Sequence, residues 1–172
     1  EIIEAQKIFN LDIDKFEILI HPKSYVHAIV HFTNGLTKFL AHETTMEIPI
    51  INSFYKKKET FAYNNKEFFF NKLNGLNFIK PSNRNFPLLK ILNYKFENTY
   101  FEIILITIND TLVKMYLDKL IKYITIHKMI IKLLKKPYFT KYYSKKPKNI
   151  KDIKIMVQTV NQYLNKYLKV NV

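Results

Sequence analysis

The sequence predicts an α+β chain: an α/β region with a hairpin-containing sheet over residues 1–60, a connecting segment over 61–85, and an α-helical bundle over 86–172. Three observations carry that reading. Residues 25–32 alternate apolar and polar character with the period of two that a strand requires, and Asn34-Gly35, the strongest short hairpin signal, follows at once. From Phe101 onward apolar residues recur at helical spacing almost to the end. Between these regions residues 56–66 form a polar stretch.

The elements follow in order. Residues 1–9 read as the end of a helix, with Ile2, Ala5 and Phe9 near helical spacing, and residues 10–14 as a turn. Residues 16–20 read as a short apolar strand that His21-Pro22 breaks, because proline has no N–H to give a ladder. In 25–32, Val26, Ala28, Val30 and Phe32 take one face, and Tyr25, His27, Ile29 and His31 the other. A two-residue type I′ loop at Asn34-Gly35 sets Val30 opposite Phe39, Ala28 opposite Ala41, His31 opposite Lys38 and His27 opposite His42. Thr44 and Glu47 have the spacing of a capping box, so a helix is expected from there to about residue 55, with Pro49 tolerated in its first turn. Residues 68–81 read as short strand and loop around Gly75, and Pro87 starts a helix that runs to about residue 96. Further helices are expected near 109–120, 124–135 and 149–168, with a basic loop at 136–148 bounded by Pro137 and Pro147.

Composition narrows the function classes. A hydrophobic fraction of 48% over 172 residues is enough to build a core. The absence of cysteine excludes a disulfide framework and thiolate chemistry. No apolar run approaches the ~20 residues of a membrane span, and no charged-then-apolar signal leads the chain, so a cytoplasmic, soluble setting is the default expectation. The net charge of +14 suggests an anionic partner, yet Arg84 is the only arginine, and bidentate recognition of phosphates and bases favours arginine. Lys, Ile, Asn, Phe and Tyr share A/T-rich codons, which offers the charge a compositional origin. The tract 135–154 reads either as an RNA-holding surface with Tyr138, Tyr142 and Tyr143 as stacking rings, or as a solvated loop with anchoring aromatics. The chain has two glycines, which leaves few positions for easy positive φ.

The residues that could carry chemistry lie in the first fifty. Glu1 by itself is a solvated charge, and Glu4 one turn on is a salt-bridge or supporting residue. His21, after a strand, reads as a histidine satisfied by backbone groups. Ser24 is a strand-start cap or a group that orients its neighbours. His27 stands on the face opposite the apolar stripe, so it is not simply core. His27 with His42 also reads as a cross-strand metal pair, though it lacks a third ligand. Met46 is, on type alone, a gap-filling side chain.

The order of these landmarks resembles the 1-deoxy-D-xylulose 5-phosphate reductoisomerase family. The residues that carry the resemblance are Glu1-Ile2-Ile3-Glu4-Ala5, then Glu17-Ile18-Leu19-Ile20-His21-Pro22-Lys23-Ser24-Tyr25-Val26-His27, the hairpin with Gly35, then Met46 and Pro49-Ile50. Weaker matches continue through Leu76, Phe78, Pro81, Phe86-Pro87-Leu88-Leu89-Lys90 and Asn109-Asp110.

The resemblance implies the later part of a catalytic domain over 1–60, a connection over 61–85 and a C-terminal helical domain over 86–172. It implies a rearrangement of the carbon skeleton of 1-deoxy-D-xylulose 5-phosphate followed by hydride transfer from NADPH, giving 2-C-methyl-D-erythritol 4-phosphate. A divalent cation, Mg²⁺ or Mn²⁺, would hold two substrate oxygens as a Lewis acid and template. Glu1 matches the last of three metal carboxylates and also touches substrate. Ser24 matches a substrate contact, His27 a catalytic histidine beside substrate and ligands, and Met46 a residue at the nicotinamide on a covering segment. Thr45 stands where the family usually has Asp, and Phe54-Tyr55-Lys56 replaces a Trp-Pro. The implied protein is a homodimer acting on a phosphorylated sugar, with no nucleic-acid or membrane partner. It is cytoplasmic, or held in a plastid-type organelle if a transit peptide precedes Glu1. On this reading the 172 residues are a C-terminal fragment, inactive alone.

Overall fold

The computed structural model describes residues 2–54, 72, 74–94 and 98–171, and side chains as far as residue 168. Its contacts gather into two compact units: Glu17–Pro81, and Glu1–Phe16 together with Ser82–Val172. The first helix thus groups with the helical half, although the polar stretch lies between them in sequence.

The Glu1–Phe16 and Ser82–Val172 unit is helical. It contains α1 (Ile2–Phe9), α3 (Tyr100–Leu117), α4 (Tyr123–Leu134), the single-turn α5 (Pro137–Thr140) and α6 (Ile150–Asn171). Its core is built by helical periodicity. Phe101, Ile104, Ile108 and Leu112 of α3, Ile126, Ile130, Leu133 and Leu134 of α4, and Met156, Val160 and Leu164 of α6 recur three or four residues apart and are all buried. Phe139 and Tyr143 close the core from the α5 segment. Thr111 Oγ1 donates to Asn161 Oδ1 at 3.3 Å, between α3 and α6. Thr107 and Thr111, awkward inside a helix, turn their hydroxyls onto the carbonyls of Ile103 and Thr107. On α1, Lys7 Nζ reaches Glu102 Oε1 at 2.9 Å and Asn98 Oδ1 at 2.7 Å, and Gln6 is buried. The helix expected from Pro87 is a 3₁₀ helix, Pro87–Asn93.

The Glu17–Pro81 unit carries the antiparallel pair β1 (Val26–His31) and β2 (Thr37–Ala41), then α2 (Glu47–Phe54). Three expectations are corrected here. The strand expected over 16–20 narrows to one bridge, Ile20 with Ile79, bonded both ways at 2.9 Å. The hairpin loop holds three residues, not two. Phe32 N–H donates to Leu36 O at 2.8 Å and Gly35 N–H to Phe32 O at 2.9 Å. A type I′ turn needs positive φ at both central residues; Gly35 has φ 86° and Asn34 is not among the positive-φ residues. Asn34 uses its side chain instead, accepting Leu36 N–H at 3.0 Å. The register therefore slips by one: Val30 pairs with Lys38, Ala28 with Leu40 and His31 with Thr37.

The cap of α2 is the third correction. Thr45 Oγ1, not Thr44, accepts the Glu47 N–H at 3.2 Å. Pro49 does stand in the first turn, and the helix is described to Phe54; residue 55 and the polar stretch after it lie outside the described residues.

Leu164 has no exposed surface, so Leu164→Ala removes buried methyl groups and leaves a cavity. A loss of ~2–5 kcal/mol is expected in denaturant unfolding. Ile106→Ala, at a residue 45% exposed on the same bundle, is expected to cost under ~1 kcal/mol.

Candidate functional site

The Glu17–Pro81 unit places the expected site residues in order. His21 to Ser24 form a turn in which Ser24 N–H donates to His21 O at 2.8 Å, with Pro22 supplying the φ of its second position. Ser24 itself has φ 51°, a left-handed conformation that costs a non-glycine residue ~1 kcal/mol. Its hydroxyl is exposed. His21 is buried, as a structural histidine should be. Its Nδ1 lies 3.2 Å from Asn77 O, and its ring tilts on Phe78 at 5.4 Å. A carbonyl only accepts, so His21 Nδ1 carries the proton; Nε2 is buried with no hydrogen-bond partner among the described residues.

Tyr25, next in the chain, is the buried anchor of this unit at 3% exposure. Burial, with the Glu43 carboxylate second, pushes its hydroxyl above the ordinary tyrosine range, while Lys72 pulls it down. Lys72 pairs with Glu43 and sits 5.9 Å from the Tyr25 ring. This trio had no sequence signal, because Lys72 lies 29 residues beyond Glu43, in the segment read as short strand and loop.

His27 occupies a break in the ladder. Val26 pairs with Ala41 and Ala28 with Leu40, so His27 is the extra residue of a bulge. Its ring is exposed and lies flat on His42, centroids 3.7 Å apart and planes 12° apart. The expected meeting of His27 with His42 is therefore present, by a bulge and not by the two-residue register. Met46 stands before α2, 67% exposed. Its carbonyl accepts the Ile50 N–H at 3.2 Å, so the backbone is part of the helix start while the side chain is presented outward.

Ser24, His27 and Met46 are thus three exposed side chains of one unit. Glu1 lies outside the described residues, and no group of three or more His, Asp or Glu side chains converges among those described. A cavity of ≈ 380 Å³ lies in the helical unit, between Leu120, Thr125, Met129, Lys132, Leu133 and Tyr167, and none of the expected site residues lines it.

The Lys/Tyr tract uses its rings in packing. Tyr138 stacks on Tyr163 at 4.4 Å, Tyr142 meets Tyr100 edge-on at 6.3 Å, and Tyr143 is buried with its hydroxyl on Leu134 O, where burial raises its pKa. Lys141 covers both Tyr138 and Tyr142 at 5.0 Å. No described helix is long and apolar enough to cross a membrane.

The profile of the DXP reductoisomerase C-terminal domain matches residues 42–163. The chain belongs to the 1-deoxy-D-xylulose 5-phosphate reductoisomerase family. The family member from Pelagibacter ubique (strain HTCC1062) is 47% identical over 166 residues, which are 96% of this chain and 42% of that protein. One from Sulfurihydrogenibium sp. (strain YO3AOP1) is 33% identical over 79% of this chain and 36% of its own length. Among solved structures, the Zymomonas mobilis reductoisomerase in complex with NADPH superposes with a TM-score of 0.72 at 26% identity, over 92% of this chain and 41% of that one. A reductoisomerase in complex with NADPH, fosmidomycin and magnesium superposes with a TM-score of 0.82 at 22% identity, over 98% and 42%. The chain therefore spans less than half the length of the relatives it matches, and the fold expectation, mixed α+β with a helical C-terminal part, is met.

Ser24→Gly is expected to leave the fold intact and to change stability by no more than ~1 kcal/mol in either direction, since it relieves the left-handed backbone and adds chain entropy. Ser24→Val, whose branched side chain tolerates positive φ least, is expected to lower the melting temperature clearly.

Proposed function

We propose that this chain furnishes one wall of the active centre of an enzyme that converts 1-deoxy-D-xylulose 5-phosphate into 2-C-methyl-D-erythritol 4-phosphate with NADPH and Mg²⁺ or Mn²⁺. The observation that carries the reading is the exposed imidazole of His27, held at a hairpin bulge in a chain of this family. Ser24 and Met46 support it as exposed side chains of the same unit.

Each residue has a role its chemistry allows. His27 supplies a nitrogen able to take or give a proton at a sugar hydroxyl or carbonyl. Ser24 donates and accepts at substrate oxygens from a backbone already set by its turn. Met46 lays a polarizable, apolar side chain against the flat nicotinamide. Glu1 contributes a carboxylate to the cation and to substrate. A hard cation requires several oxygen ligands, and this chain's share is that single carboxylate; the others belong to the part of the relatives that these residues do not span. When bound, the cation polarises the substrate oxygens it holds. The assembly is proposed to be a homodimer. Its support is the apolar surface left on the hairpin, where Val30, Phe39 and Leu40 are 49%, 54% and 57% exposed.

The test is NADPH oxidation driven by 1-deoxy-D-xylulose 5-phosphate, measured on the full coding sequence that contains these residues and on the 172-residue chain alone. Turnover is expected from the former with Mg²⁺ or Mn²⁺, its loss on chelation, and a fall of ~10²-fold or more in kcat for Glu1→Gln and His27→Gln. The 172-residue chain is expected to be inactive. A full-length protein that fails to turn over with either metal would overturn the assignment.

A further inference from the structure

His27 is exposed, and an exposed imidazole on a strand ordinarily samples several rotamers. Catalysis needs it held. Within its own hairpin two contacts do so. The His27 Nε2 lies 3.2 Å from the carbonyl oxygen of His42, and since a carbonyl only accepts, Nε2 is the protonated nitrogen. The ring of His42 covers one face of the His27 ring at 3.7 Å with planes 12° apart. The His42 ring is in turn fixed by its Nδ1 donating to Glu43 O, and Glu43 is pinned by Lys72. The support runs from His27 through His42 and Glu43 to Lys72, all within the Glu17–Pro81 unit.

We infer that His42 is the positioning residue of this active centre: its ring and carbonyl together hold the His27 imidazole in one orientation and one tautomer, so that Nδ1 is the atom presented to the phosphorylated sugar. The bulge is what makes this possible. In the slipped register it brings the extra residue of β1 against the first residue after β2. In the neutral ring the presented Nδ1 accepts from a substrate hydroxyl; in the protonated ring it donates to a carbonyl or phosphate oxygen. His42 touches neither substrate nor cofactor in this role, and acts through His27 alone. This inference rests on the proposed catalytic role of His27.

The experiment uses the full-length protein and four variants: His27→Gln, His42→Ala, His42→Phe and the His27→Gln/His42→Ala double variant. His42→Ala is expected to lower kcat by ~10- to 100-fold, the penalty of a misplaced catalytic group, with a smaller change in KM. His42→Phe keeps a flat ring on His27 and is expected to recover most of the loss. The double variant is expected to be no slower than His27→Gln, because a residue that acts only through another adds nothing once that other is gone. Ring-current shifts of the His27 protons, seen by NMR, are expected to vanish in His42→Ala and persist in His42→Phe. If His42→Ala stays within about twofold of the parent while His27→Gln is impaired, the positioning role falls and the assignment of His27 stands. If the two losses multiply in the double variant, His42 acts independently and the inference is wrong. If His27→Gln is as active as the parent, the reading of the site itself falls first.

Discussion

The left-handed backbone of Gly35 is the constraint on which the site depends. It is the one residue of the hairpin loop with positive φ, and its N–H on Phe32 O closes the three-residue loop. Loop length sets register, and register sets which side chains share a face. With the slipped register, β1 has one residue too many to meet β2 at both ends, and the surplus is released as the bulge at His27. A bulge bends and twists its strand, which lays the histidine across onto His42. The geometry of the proposed catalytic group is therefore decided by a turn at the opposite end of the hairpin, and a β-branched residue at 35 would disturb the site without touching it.

Local periodicity made most of the fold legible. The stripe of Ile104, Ile108 and Leu112, and that of Met156, Val160 and Leu164, announce buried helix faces by their spacing alone. The presence of the hairpin and of α2 was equally plain. What escaped was decided by contacts far apart in sequence or by competition between near-equal local choices. Two threonines in a row offer two caps, and Thr45 won. Asn34-Gly35 fits a two-residue or a three-residue loop, and the preference of Asn34 to bond through its side chain selected the latter. Residues 16–20 look like a strand, but a strand exists only where a partner ladder does, and Ile79 supplies a single bridge. For the proposed site, Ser24, His27 and Met46 were chosen through resemblance, and the structure gives each an exposed position. The pairing of Glu43 with Lys72 was not foreseen, because nothing in residues 68–81 marks Lys72 as its partner.

The Lys-rich composition takes on a specific physical use in the helical unit. Lysine stems lie along tyrosine faces: Lys132 and Lys136 approach Tyr167 at 5.9 and 5.5 Å, and Lys145 approaches Tyr142 at 5.6 Å. Tyr138, Tyr163 and Tyr167 form a stacked run beneath them. Each contact is worth about 0.5–1 kcal/mol at an exposed position, so the tract works as an amphipathic cover in which the ammonium groups stay hydrated and the stems shield the rings. A sequence rich in Lys and Tyr and poor in Ala can build a helical bundle this way, with aromatic area replacing the smaller residues.

The two units differ in how they are stabilised, and the difference bears on function. The helical unit owns a core: fourteen of the buried apolar side chains form its single cluster. Among the described residues of Glu17–Pro81 the buried apolar residue is Tyr25, and none in β1, β2 or α2 is buried. A two-stranded hairpin exposed on both faces is marginal in water. Its exposed apolar residues lie on both faces, Ala28, Val30 and Leu40 on one and Ile29 and Phe39 on the other, and fit a role in which further protein surface covers part of the hairpin. On that view the proposed catalytic residues sit on the least self-sufficient part of the chain. The orientation of His27 is secured locally by the stack on His42, and the hairpin that carries both, with no buried residue in either strand, depends on such cover for its rigidity.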